Sequence, residues 1–226
     1  MRCTFVSGLL VLGIMGGLHG TVYASGAASA DPGKPGERTF QVLKELPLDA
    51  AAYQAPAAAL VRAGIPDKYG HEEWAAVVLT NELHQHMGIM TVVGAKMAVR
   101  ARELLEAAPR SVKVVSETGP EQPLSCLVDG LQGGLGSTYA QQLIEAPPVA
   151  APQPAATFAY EGRELRLSLR PEYRQQIRRW IQSAIEAHGN LTPAYFEVIE
   201  DFGYQAWAEF DRHAIFFEEP GPAPAE

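Results

Sequence analysis

The stretch from Ser116 to Thr138 constrains the fold more than any other part of the sequence, because it is dense in turn-forming residues. Glycine occupies positions 119, 130, 133, 134 and 136, and proline occupies positions 120 and 123. Glycine adopts positive φ angles and lets two backbones approach closely, so such a stretch brings side chains from separate elements together. It also contains Cys126, with Asp129 three residues later. We therefore expect a functional site around this segment.

The first residues have the pattern of a secretory signal peptide. A positive charge at Arg2 precedes an apolar run over residues 5–18, and Val22-Tyr23-Ala24 offers a cleavage site. The apolar run is short and rich in glycine for a membrane anchor. We predict a signal peptide over residues 1–24, with cleavage as late as residue 30, and a mature protein that is periplasmic or secreted and not inserted in the membrane.

Length and charge bound the rest of the chain. A chain of 226 residues with 47% hydrophobic residues is long enough for one substantial domain. We predict a flexible leader over residues 25–39, a single domain over residues 40–215 and a disordered tail over residues 216–226. The net charge of −8 argues against nucleic acid or anionic lipid as the main partner.

The hydrophobic pattern predicts an α+β fold. A long buried helix is expected over residues 89–108, where Gly94 indicates close approach by another backbone. Strands are expected over residues 112–115 and 138–144, with a hairpin over residues 157–169. Further helices are expected over residues 71–83, 124–131, 171–188 and 192–210. The prediction is a long helix and crossover helices packed on a small mixed β-sheet, with extra helices at the N- and C-terminal ends.

Three side chains predict a metal site. Removal of the signal peptide leaves Cys126 as a lone cysteine, which cannot form an internal disulfide. Upstream, His84 and His86 would point to opposite sides of a helix, but an irregular segment, which Gly88 favours, lets both face one ion. Imidazole nitrogen and thiolate sulfur suit zinc, iron or copper better than magnesium or calcium. We therefore predict zinc or another transition metal bound by His84, His86 and Cys126.

The residues around Cys126 extend this prediction. With Ser125 as N-cap, Cys126 lies in the first turn of a short helix, where the helix dipole lowers the pKa of a thiol. Asp129 then lies on the same face one turn later. We expect Asp129 to orient a histidine ligand or to hold the turn that presents the thiolate.

Two other functions stay open at the level of sequence. In the first, Cys126 is the nucleophile of an enzyme with a histidine such as His86 as base, or an open metal site activates water, and Glu117 is an additional acid–base group. In the second, the chain is a partner-binding domain whose site has decayed, with Cys126 in apolar surroundings and both histidines turned away. The sequence identifies no substrate.

Several of these segments together resemble the family formed by the E subunits of formylmethanofuran dehydrogenases. That family shows an H-G-H-x-x-P pattern at the start of a helix, a C-x-x-D-(G/A)-x-Q stretch and a G-C-T-x-G-K-G-N loop. The corresponding segments here are H-Q-H-M-G from His84, S-E-T-G from Ser116, C-L-V-D-G-L-Q from Cys126 and G-S-T from Gly136. The resemblance covers roughly residues 74–188.

The resemblance has consequences for fold, site and partners. It implies a fold similar to the catalytic domain of glyceraldehyde-phosphate dehydrogenases. Gln85 stands where glycine is common, and Ser137 stands where many members have a second cysteine, which would place Ser137 beside the metal ligands. It does not imply formylmethanofuran chemistry, because an exported single domain lacks the other components of that complex. We expect a metal ion as ligand, no nucleic-acid partner, and either a homodimer or an exported metalloenzyme as protein partner.

Overall fold

Helix α4, Ile89–Leu105, is the centre of the fold because its sequence is apolar or small on nearly every side. Fourteen of its seventeen residues are buried, as expected of a helix surrounded by other elements. The structure is a computed structural model that describes residues 38–221. The predicted signal peptide and most of the predicted leader lie outside the described residues.

Within residues 38–221, seven α-helices pack with one five-stranded sheet. The other helices are α1 (Ala55–Arg62), α2 (Ile65–Tyr69), α3 (His71–His84), α5 (Leu127–Leu135), α6 (Pro171–His188) and α7 (Pro193–Glu209). The strands are β1 (Lys113–Ser116), β2 (Ile144–Glu145), β3 (Ala155–Tyr160), β4 (Arg163–Leu169) and β5 (Phe216–Pro220). Their order is β2-β1-β3-β4-β5, with β1 and β2 parallel and the other pairs antiparallel. The predicted α+β fold with a small mixed sheet is confirmed.

Local sequence signals explain several element boundaries. The predicted hairpin forms between β3 and β4, where Glu161 and Gly162 both have positive φ angles, 48° and 76°. Two-residue hairpin loops favour this conformation because its twist matches that of the strands. Helix α7 begins with the side chain of Thr192 accepting a hydrogen bond from the Tyr195 amide at 3.1 Å, followed by Pro193.

The ends of the described chain differ from the sequence prediction. Residues 216–220, predicted as the start of a disordered tail, form edge strand β5 beside β4, because the buried Phe216 anchors this segment to the core. Arg38, predicted in the flexible leader, donates hydrogen bonds to the carbonyls of Gly133 and Gly134 at 2.7 and 2.9 Å. These carbonyls lie at the C-terminal end of α5, where a cation is favourable.

The strand predicted over residues 138–144 is mostly wrong. Residues Tyr139–Gln141 form a 3-10 turn, closed by Gln142 with a φ of 57°, and only Ile144 and Glu145 pair with β1. The side chain of Gln141 accepts a hydrogen bond from the Thr138 amide at 3.1 Å, which favours the turn over an extended strand. None of the helices in the described part of the chain is long and apolar enough to cross a membrane.

A buried ionic cluster joins α3 and α4. The Lys96 ammonium lies 2.5 Å from a carboxylate oxygen of Glu73, and both side chains are fully buried. Arg212 approaches the other oxygen of Glu73 at 3.0 Å, and the ring of Tyr69 lies under the ammonium, 4.2 Å away. Burial lowers the pKa of Lys96, and the Glu73 carboxylate opposes that effect. The carboxylate is thus the main compensation for a charge inside the core.

Glycines let α5 lie unusually close to α4 and α3. A methyl group at Gly94 would overlap the Leu127 carbonyl oxygen and lie 3.0 Å from the Cα of Gly130. The prediction from Gly94 of a close backbone approach is confirmed. This contact fixes the start of α5, and therefore the position of Cys126, against the central helix.

Candidate functional site

The end of α3 brings the two predicted histidines together. Helix α3 ends at His84, and Gln85 has left-handed backbone angles, with φ 65° and ψ 13°. This single residue turns the chain, so His86 does not continue the helical direction. The ring centroids of His84 and His86 lie 4.4 Å apart. The predicted irregular segment is therefore present, and it lets both rings occupy one side of the turn.

Hydrogen bonds from Asn81 hold this turn in place. Its side-chain oxygen accepts from the Gly88 amide at 3.1 Å and from the Thr91 hydroxyl at 2.7 Å. Its side-chain nitrogen donates to the Val77 carbonyl at 2.8 Å, within α3. One side chain thus ties the last turn of α3 to the first turn of α4, and the segment between them carries both histidines.

His84, His86 and Cys126 line one small cavity of about 40 Å³. The rest of its lining is mostly apolar and comes from the residue before α4, from α4, α6 and α7, and from the segment before α5: Gly88, Ile89, Met90, Pro123, Ile181, Tyr195 and Ile199. The decayed-site hypothesis expects both histidines to be turned away from Cys126. Their shared cavity is contrary to that expectation. A space of this size holds about one water molecule or one ion.

Asp129 fixes the orientation of His84. A carboxylate oxygen of Asp129 lies 2.7 Å from Nδ1 of His84, whose side chain is only 12% exposed. If Nδ1 donates to the carboxylate and the ring carries a single proton, the lone pair lies on Nε2. That Nε2 is buried and has no hydrogen-bond partner among residues 38–221. In that tautomer, the buried Nε2 offers a lone pair to a metal ion or to a hydrogen-bond donor.

The predicted thiolate at Cys126 is not supported. Cys126 ends a 3-10 turn, Leu124–Cys126, and stands immediately before α5, with no side-chain cap from Ser125. Burial raises the pKa of the Cys126 thiol, and the negative charge of Asp129 raises it further. Desolvation and the Asp129 charge outweigh the backbone hydrogen bond that favours the thiolate, so the environment of Cys126 favours the protonated thiol. This weakens the hypothesis of a nucleophilic cysteine.

His86 is a neutral ligand candidate. Burial lowers its pKa, and the neighbouring His84 lowers it further, while Glu200 opposes both. A neutral imidazole can bind a metal ion without first losing a proton. On its other side the ring of His86 meets Phe196 of α7 in an edge-to-face arrangement, with ring centroids 6.2 Å apart.

The predicted ligands line one cavity, but their donor atoms are not already arranged around one metal position. Over the described residues, no group of three or more His, Cys, Asp or Glu side chains has the arrangement needed to hold a metal ion. The donor atoms fit the chemistry of zinc, since Nε2 of His84 is unpartnered and a thiol lies in the same cavity. A bound ion would require the side chains to close around it.

Glu117 lies outside this cavity, contrary to its suggested acid–base role. Its carboxylate accepts two hydrogen bonds from Arg166, at 2.7 and 2.8 Å, and one from Gln153 at 2.7 Å. The Arg166 guanidinium holds the pKa of Glu117 below its usual range. A carboxylate bound in this way stays ionised and braces the sheet beside β4.

Ser137 is also far from Cys126. Its buried hydroxyl donates to the Val112 carbonyl at 3.2 Å, just beyond the C-terminal end of α5. Cys126 precedes the other end of the same helix, and nine helical residues span about 14 Å. The prediction that Ser137 stands beside the metal ligands is therefore wrong, because the intervening glycine-rich segment is a helix and not a folded-back loop.

Comparison with protein families identifies the part of the chain that holds this cavity as part of a known family. Residues 83–206 match the family described as FmdE, Molybdenum formylmethanofuran dehydrogenase operon, and the match spans more than half of the chain. The chain belongs to the FmdE family. The matched region contains the histidine turn, the cavity and helices α4 to α6 complete. A comparison with curated proteins found no match.

Gln85 has a left-handed backbone conformation at the position where the resemblance described above leads us to expect glycine. Its φ of 65° is favourable for glycine and costs about 1 kcal/mol for most other residues. We expect Gln85→Gly to raise the free energy of unfolding by about 0.5–1 kcal/mol, the relief of strain being partly offset by backbone entropy. Urea unfolding would measure this. Gln85→Ala is the matched control, because it removes the side chain and keeps the Cβ; an equal gain in both variants would contradict the explanation.

Proposed function

We propose that this FmdE-family protein is an exported protein that binds one transition-metal ion, zinc above all, through His84, His86 and Cys126. The observation that carries the proposal is the buried, unpartnered Nε2 of His84, a residue that lines one cavity together with His86 and Cys126. Zinc supplies a positive charge that stabilises the deprotonated Cys126 sulfur in an otherwise unfavourable, buried position. The proposed role is metal handling or delivery to an exported metalloenzyme.

Asp129 supports the proposal as a positioning residue. Histidines that bind metals usually donate their other ring nitrogen to a carboxylate or carbonyl, which fixes the ring and its tautomer. The 2.7 Å contact between Asp129 and Nδ1 of His84 has this form. We expect Asp129→Asn to weaken zinc binding about 10–100-fold while leaving the stoichiometry at one ion.

The direct test is elemental analysis of the mature protein purified without chelators or affinity metals. We expect close to one equivalent of zinc in the wild type and near-complete loss in Cys126→Ala and in His84→Ala. His71→Ala is the matched control, because the His71 side chain is 64% exposed, lies beside Asp67 and is outside the cavity. A metal-free wild type whose thermal stability does not change on adding zinc would refute the proposal.

The raised pKa of Cys126 predicts how binding depends on pH. Zinc binds the thiolate, so a thiol protonated up to a raised pKa must release one proton for each ion bound. The affinity for zinc therefore rises with pH until the pKa of the thiol is reached. Between about pH 7 and 8, we expect the slope of log K against pH to be about one unit larger in the wild type than in Cys126→Ser. Equal slopes, measured with a competing chelator, would show that Cys126 is not a ligand.

Export forms part of the proposal and has its own test. The signal-peptide pattern of residues 1–24 supports it. Mass spectrometry of the protein from its native cells should give a mature N-terminus directly after Ala24 or Ala30. An intact N-terminus beginning at Met1 would contradict export.

A further inference from the structure

A second cavity adjoins the small cavity that holds the candidate metal ligands. Its volume is about 210 Å³, below the about 300–1,000 Å³ that is usual for drug-sized ligands, so it suits a small molecule. Three residues, Met90, Pro123 and Ile181, line both cavities, which are therefore neighbours. We call the second one the arginine cavity, and its other lining residues are Leu124, Pro152, Pro154, Leu169, Arg174, Ile177 and Arg178.

The walls of the arginine cavity are apolar apart from its two arginines. They come from α4, from the segments before α5 and β3, from the end of β4 and from α6. Leu169 and Ile177 belong to the hydrophobic core, so this side of the cavity is held in place by the core packing. Three of the other lining residues are prolines, whose rings fix the backbone φ angle. Water gains little from contact with such walls, and an apolar group of a ligand would displace it favourably.

The two arginines add positive charge that no carboxylate compensates. Arg174 and Arg178 lie one turn apart on α6, a spacing at which like charges on one helix face repel. No acidic residue stands three or four positions from either of them in the sequence. Within the described part of the chain neither takes part in an ion pair. Two positive charges therefore border one apolar space in a chain of net charge −8, and their joint potential favours an anion.

From the apolar walls and the arginine pair together, we propose that the arginine cavity binds a small monocarboxylate with an apolar body. The carboxylate oxygens accept hydrogen bonds from the guanidinium groups of Arg174 and Arg178, whose planar N–H groups suit a carboxylate. The apolar body packs against the buried side of the cavity. None of the candidate metal ligands lines the arginine cavity, and binding there does not depend on a metal ion.

The test is a titration of metal-free protein with hexanoate, followed by two-dimensional NMR of the isoleucine methyl groups, assigned by Ile→Val substitutions. Of the two neighbouring cavities, Ile177 lines only the arginine cavity and Ile199 only the cavity of the candidate metal ligands. We expect a saturable shift of the Ile177 signal. Hexanamide, which lacks the charge, and acetate, which lacks the apolar body, should each bind at least tenfold more weakly. Using metal-free protein separates this result from the outcome of the zinc experiments.

Charge-neutral variants locate the site. We expect Arg174→Gln and Arg178→Gln each to weaken hexanoate binding about tenfold, the usual effect of losing a charged hydrogen-bond partner. Arg179→Gln is the matched control, because it removes the same charge from an exposed position of α6 outside the cavity. An unshifted Ile177 signal, a shift confined to Ile199, equal binding of hexanamide, or an equal loss in Arg179→Gln would overturn the inference.

Discussion

Glu73→Ala should lower the free energy of unfolding by about 3–5 kcal/mol, the usual effect of removing one partner of a buried ion pair. The Lys96 ammonium lies 2.5 Å from Glu73 in a fully buried position, and Arg212 also approaches this carboxylate. Without Glu73, the charge of Lys96 remains in the core with no carboxylate in contact with it. Arg212 keeps a carboxylate partner in this variant, because Glu103 also lies 2.5 Å from its guanidinium. Urea unfolding would measure the loss.

The direction of the pH dependence follows from the lowered pKa of Lys96. In the folded state, burial places this pKa below its unfolded value, so the unfolded chain binds more protons between the two. The free energy of unfolding therefore rises with pH between these two pKa values. Removal of Glu73 lowers the folded-state pKa of Lys96 further, which widens this pH range. The difference in unfolding free energy between the wild type and Glu73→Ala should therefore be smaller at about pH 9 than at about pH 7.

A double variant is the control for the ionic cluster. Glu73→Leu combined with Lys96→Met replaces the pair with apolar side chains of similar size, and such replacements are often neutral or stabilising. We expect it to recover most of the stability lost in Glu73→Ala. A loss below about 1 kcal/mol in Glu73→Ala would mean that the pair is not desolvated as the structure shows.

Gly94→Ala should also be strongly destabilising, by about 3 kcal/mol or more, because overpacking costs most when backbone atoms cannot move. The added methyl group would overlap the Leu127 carbonyl oxygen and press on Gly130. Displacement of α5 moves Cys126 and Asp129 away from His84, so zinc binding should fall as well. Urea unfolding and a zinc titration of the folded variant would measure the two effects.

Gly133→Ala is the matched control for Gly94→Ala. Gly133 belongs to α5, the helix that packs on Gly94, but its added methyl group would overlap the side-chain hydroxyl of Thr80. Combination with Thr80→Ala removes that hydroxyl and should restore much of the stability. No side-chain truncation can relieve the clash at Gly94, since it is with backbone. Full tolerance of Gly94→Ala would contradict the observed helix packing.

The sequence was sufficient for features that depend on local pattern. The apolar run of α4 and the glycine within it predicted a central helix in close contact with another backbone, and both are observed. Gly88 predicted an irregular segment after α3, which is why His84 and His86 can face one cavity. For Asp129 the sequence left two roles open, orienting a histidine or holding the turn that presents the thiolate, and the structure shows a contact with His84.

Features that depend on tertiary context could not be predicted in this way. A helix N-terminus favours a thiolate, but burial beside Asp129 decides the pKa of Cys126 in the opposite direction. Nothing in the sequence near Glu117 indicates that its carboxylate has a basic partner. Arg166 lies 49 residues away in the chain, and only the pairing of the strands brings it against Glu117. The small cavity beside His84 is also lined by residues of α6 and α7, far from His84 in the chain, and no local pattern signals it.

X-ray absorption spectroscopy of the zinc-loaded protein would test the proposed metal site most directly. We expect one sulfur at about 2.3 Å and two imidazole nitrogens at about 2.0–2.1 Å from the ion. In Cys126→Ser the sulfur contribution should disappear, and in His84→Ala one imidazole should be lost. A zinc spectrum with only oxygen and nitrogen neighbours in the wild type would contradict a site built on Cys126.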